Sequence, residues 1–196
     1  MTLDGNMLAI LVVLVLLAAV AAVLHYRRHQ SHTLEKHFGP EYERAVHDYG
    51  SRPKAEAELL ARQKRVSKLH IVPLSPQDAA RYADAWKAVQ ARFVDSPQGS
   101  LAEADRLVCD LMQKRGYPMG DFERNAADIS VHHPAVVDHY RAAHDIALRE
   151  QRGEVDTESM RQAIIHYRAL FSELLEVEQP ADRRQGERAA MRGAER

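Results

Sequence analysis

Residues 7–24 read MLAILVVLVLLAAVAAVL, an apolar run with no charge, Pro or Gly. A helix made of it is apolar all round and has no polar face to turn to water. Eighteen residues at helical rise reach roughly 27 Å, close to the thickness of a bilayer's hydrocarbon core. The pattern predicts a transmembrane anchor over residues 7–25. Beyond it the periodicity becomes amphipathic, and neither strand alternation nor an Asn-Gly or Asp-Gly hairpin signal occurs.

Residues 26–73 are strongly polar and read as a juxtamembrane helical stalk. Pro40 starts a short helix that ends near Gly50, and Pro53 starts another. The second carries Ala55, Leu59, Arg62, Val66 and Leu69 at spacings of four and three, a narrow stripe interrupted by Arg62. A compact bundle is predicted over residues 74–178. Ser75 is a good N-cap and Pro76 suits the first helical position. The helix they open bears Ala79, Tyr82, Ala83, Trp86, Val89 and Phe93 on one face.

Ser100 and Glu103 form a capping-box pattern, which predicts that the next helix starts at Ser100. That helix carries Leu101, Ala104, Leu107, Val108, Leu111 and Met112, and Lys114-Arg115-Gly116 closes it. A short third helix turns Phe122, Ala126 and Ile129 inward. Pro134 opens a fourth, with Val136, Val137, Tyr140, Ala143, His144, Ala147 and Leu148 on one side, and Gly153 ends it. Asp156 or Thr157 caps the last helix, which carries Met160, Ile164, Tyr167, Leu170, Phe171, Leu174 and Leu175. The expected fold is all-α: a transmembrane helix, a helical stalk and a four- or five-helix bundle. Residues 179–196 lack large apolar side chains and read as a disordered tail.

Charge adds sidedness. All 27 Lys and Arg lie beyond residue 24, and Asp4 is the sole acid before it among 28. The part after the anchor is therefore neutral, which argues against nucleic acid as a partner. Arg27 and Arg28 follow the apolar run directly, and basic residues favour the cytoplasmic side, so the N-terminus is expected outside and the bundle inside. The competing expectation is a cleaved signal and a secreted helical protein, because Ala19-Val20-Ala21-Ala22 resembles a cleavage site. One cysteine, Cys109, allows neither an intramolecular disulfide nor a thiolate zinc cage.

Several phrases together resemble a family: Trp86 to Pro97, Ala102 to Val108, Arg115-Gly-Tyr-Pro118, Asp121 to Asp128, Asp138 to Asp145 and His166 to Phe171. They are similar to small uncharacterised bacterial proteins with an N-terminal hydrophobic segment, usually labelled hypothetical or secreted. The resemblance spans most of residues 38–175 and implies no catalytic role.

The candidate chemistry is histidine chemistry. His25, His29 and His32 share one helical face if the anchor helix continues past the bilayer, and imidazoles so placed suit Zn²⁺ or Cu²⁺. Asp128, His132, His133, Asp138, His139, His144 and Asp145 form a second dense group, to which folding could add His166. His139 and His144 diverge by about 140° around a helix of 3.6 residues per turn. His144 falls on the apolar stripe as a hydrogen-bonded core histidine, and Asp128, His132 and His133 look like helix-end and loop residues. His25, His29, His32, His139 and His144 are thus metal-ligand candidates, and a sensor using residues 128–145 is the alternative function.

The preferred reading of each is structural, with no metal, cofactor or catalytic residue. No Glu-x-x-His motif, phosphate loop or nucleophile–base pair occurs, and Cys109 sits on an apolar helix face. Ala18 and Ala22 allow a second anchor to pack closely, giving a homodimer. Arg183, Arg184, Arg188, Arg192 and Arg196 give the tail a small positive excess toward anionic lipid. The expected function is a membrane-anchored interaction or scaffolding module. Its expected partners are lipid through the anchor and an unidentified protein. The His139-Tyr140-Arg141 and His166-Tyr167-Arg168 phrases echo each other, each placing an aromatic ring inward.

Overall fold

In the computed structural model residues 5–175 are described, apart from the side chains of residues 5–10 and 12. Those residues form eight helices and no strand: α1 Gly5–Phe38, α2 Pro40–Tyr49, α3 Arg52–Val66, α4 Pro76–Arg92, α5 Pro97–Lys114, α6 Phe122–His132, α7 Val137–Gln151 and α8 Thr157–Leu174. The all-α expectation is met. Among the described residues no helix is long and apolar enough to cross a membrane. The expected anchor includes residues 7–10 and 12, whose side chains lie outside that set, as does the expected tail over 179–196.

The chain divides into two compact units, Met1–Leu60 and Ala61–Arg196, with the boundary inside α3. In the first, α1 runs unbroken past the apolar run to Phe38, where Gly39 takes a positive φ and Pro40 opens α2. Leu34, Phe38, Tyr42, Ala45, Ala55 and Leu59 are buried. Ser31 Oγ and Tyr42 Oη both donate to Glu56 Oε1, at 2.6 and 2.8 Å, so one carboxylate ties α1, α2 and α3 together. Taking the Tyr42 ring out of water pushes its pKa up.

In the second unit α8 packs on α5 and α7, α5 also packs on α4, and α6 packs on α7. The core is built from the stripes read in the sequence: Tyr82, Trp86 and Val89 of α4, Leu101, Val108 and Leu111 of α5, and Tyr167, Leu170 and Phe171 of α8. Trp86 stacks on Phe171, centroids 4.6 Å apart. On α3 the stripe of Ala55, Leu59 and Val66 is buried, and Arg62 is buried with it at 7% exposure.

Four local expectations are corrected. First, α5 starts at Pro97, with Ser96 at the N-cap position but no cap bond from its side chain, a turn before the capping-box pattern. Pro97 already has the φ of a first helical residue. Gly99 leaves room for the Ser96 hydroxyl, which would come within 2.7 Å of a Cβ there. Ser100 is then buried inside the helix, and Glu103 pairs with Arg92. Second, Pro134 lies in a turn closed by Val136 N–H on the His133 carbonyl, and α7 begins at Val137. The proline φ serves a turn as well as a helix start. Third, Leu148 is 41% exposed, although it lies on the expected inward side of α7. Fourth, Asp128 is not at a helix end but buried inside α6.

Candidate functional site

Three places in the second unit bring histidine, tyrosine or cysteine side chains together. The first is where α6 ends. His132 is its last residue and His133 caps it, as expected. His132 Nδ1 lies 3.1 Å from Tyr117 Oη. His133 has a side chain only 10% exposed, with its Nδ1 3.6 Å from Glu173 Oε2. His132, His133, Ser172 and Glu173 line an open cavity of about 490 Å³. Burial lowers the His133 pKa first and the nearby Arg115 guanidinium lowers it further, against the pull of Glu173. Burial and the Arg115 charge thus both favour the neutral ring.

The second place joins α7 to α8. His139 Nδ1 and His166 Nδ1 lie 2.9 Å apart, with ring centroids 5.1 Å apart. His139 and His144 do not meet, as their angular separation requires. His144 is half-buried, and it lies flat on Phe122, centroids 3.7 Å apart and planes 6° apart. Ring stacking holds it, where a hydrogen-bonded core histidine was expected. Burial, and then the His139 ring, lower the His166 pKa.

The third place is a polar thread through the core. Tyr167 Oη donates to Asp105 Oδ1 at 2.6 Å. Tyr140, its ring 6.4 Å from that of Tyr167, hydrogen-bonds with Cys109. Burial raises the pKa of both phenols. The Cys109 thiol is pushed up to about 11, first by burial and then by the Asp105 charge. A thiol so protonated is a poor nucleophile at neutral pH.

In the first unit His25, His29 and His32 stand exposed along α1. Among the described residues no three His, Cys, Asp or Glu side chains gather as a metal would need. Sequence spacing singled out neither Tyr117 nor Glu173, since each reaches its histidine from a distant part of the chain. The pairing of His139 with His166 did leave a trace, the repeated His-Tyr-Arg phrase.

No family model matches the chain, and no curated protein and no solved structure matches it.

Proposed function

We propose that this protein is a single-span membrane protein whose helical bundle serves on the cytoplasmic face as a non-enzymatic interaction module. The observation that carries the reading is the all-round apolar exposure of α1. Val13, Leu14, Val15, Leu16 and Leu17 are each 54–61% exposed, and Val20, Val23 and Leu24 are 53–56% exposed. A partner helix covers one stripe, whereas consecutive exposed apolar positions want an apolar solvent, which is what lipid supplies. Arg27 and Arg28 directly after the run support the inward orientation.

On this reading the anchor binds lipid, Ala18 and Ala22 offer a packing face to a second copy, and the bundle binds a protein partner. The neutral charge balance supports a protein rather than a nucleic acid.

Fusing the C-terminus to two reporters tests it, one fluorescent only inside the cell and one active only outside. Fluorescence inside, with the intact mass of the uncleaved chain in the membrane fraction, is the expected result. Activity outside, or a mature chain lacking about the first 21–25 residues as signal cleavage would leave it, overturns it in favour of a secreted body.

A further inference from the structure

We propose that His139 and His166 form a two-histidine Cu²⁺ site on the bundle surface, clamping α7 to α8. The two helices are joined by residues 152–156, so they run antiparallel, and each carries one copy of the repeated phrase. Tyr140 and Tyr167 are 1% and 0% exposed. Locking these two rings into the core fixes the backbone on either side. The preceding histidines are thereby held with their Nδ1 atoms 2.9 Å apart. Such preorganisation lowers the cost of bringing two ligands together.

The ion is chosen by ligand chemistry and by how little the two nitrogens must move. Two nitrogens bound at about 2.0–2.1 Å and at right angles lie roughly 2.9 Å apart, and at the tetrahedral angle roughly 3.4 Å. The observed 2.9 Å is a hydrogen-bond length, and it leaves the two nitrogens already near the spacing of adjacent positions on a tetragonal ion, the preference of Cu²⁺, which also binds imidazole more strongly than other first-row divalent ions.

In the free protein the short contact is one N–H···N hydrogen bond, so one Nδ1 bears a proton. On metal binding that ring takes its other neutral tautomer, with the proton on Nε2. The two rings then pivot so that both Nδ1 lone pairs turn from each other toward the ion, without a change in net protonation. His139 is exposed and His166 half-buried, so the ion enters directly from water. The described residues bring no third His, Cys, Asp or Glu ligand. Water or a small external ligand completes the coordination.

The test is a Cu²⁺ titration of the full chain in detergent micelles, followed by calorimetry, thermal melting and electron paramagnetic resonance. The expected result is a strongest-binding single equivalent with nitrogen hyperfine structure and a raised melting temperature. His139→Gln and His166→Gln, each made singly and checked by circular dichroism, should each weaken that equivalent by ~10-fold or more, a ligand mattering at least as much as a residue behind one. They should also abolish the melting shift. Replacing His25, His29 and His32 together by Gln should leave both intact. Unchanged binding in the two single variants, or loss only in the triple variant, overturns the assignment.

Discussion

At the residue scale, burial decides the chemistry of the titratable groups more than their neighbours in sequence do. His133 is the clearest case. The residues facing it are Arg115, Glu173 and His132, and desolvation with the Arg115 charge holds its folded pKa below the ordinary 6.5. The unfolded chain therefore takes up this proton at higher pH than the folded chain. Stability then rises with pH across that interval. The contribution is complete above pH 6.5 and is lost as pH falls from there through the lower folded value. His166 acts in the same direction. The urea midpoint should drop between pH 7 and pH 5.5, and His133→Gln should flatten that drop without removing the share of His166. An equally steep drop in the variant would show that His133 does not titrate differently on folding.

At the element scale, the helices start and stop where single residues set backbone geometry. Ser75, Asp121 and Asp156 each accept a hydrogen bond from the backbone N–H three residues on, satisfying a donor that the helix start leaves unpaired. Gly116 ends α5 under the tightest constraint. Its φ is +96°, and a Cβ would meet the His70 carbonyl oxygen at 2.3 Å. The close approach comes from the bond between Val72 N–H and the Arg115 carbonyl, 3.0 Å, and from Arg115 Nε donating to the Val72 carbonyl. Gly116→Ala should therefore cost at least about 2 kcal/mol, combining left-handed strain with displacement of the segment at His70. Urea denaturation measures this, and Gly153→Ala is the control. Gly153 also has a positive φ, but nothing lies within 4 Å of its Cβ position, so its loss should be smaller.

At the scale of the whole molecule, an ion pair joins the end of α3 to α6 within the second unit. Arg65 Nε and Nη2 reach Asp128 Oδ1 at 2.8 and 2.7 Å. The Asp128 side chain is 1% exposed and that of Arg65 27%. Asp128 Oδ2 is buried with no hydrogen-bond partner among the described residues, so this carboxylate depends on the guanidinium. Arg65→Met strands a buried charge and should destabilise by about 3 kcal/mol. Adding Asp128→Leu should recover most of that, because two apolar residues of similar volume satisfy each other. A double-mutant cycle in urea checks this. If the double variant is as unstable as Arg65→Met, the pair is not what matters at that site.

The sequence by itself determined the helices and their buried faces. A stripe at helical period, a Pro or Ser before it and a Gly after it are local facts. The stripes of α4, α5 and α8 became the core almost residue for residue. Even Arg62, which interrupts the α3 stripe, is buried in line with it. Tertiary structure alone decided which polar groups meet. Nothing in local spacing could show that Asp128 would be sealed inside α6 against Arg65, or that Glu173 and Tyr117 would reach the histidines at the end of α6. Nor could it show that the half-buried His144 would rest on Phe122. The start of α5 was misplaced because two good start signals lie one turn apart, and propensity alone ranks them poorly. His139 and His166 stand between these cases. Each phrase predicts an inward tyrosine, but only the packing of α7 on α8 brings the two imidazoles together, since helical period sets which face a side chain takes and not which helix lies opposite.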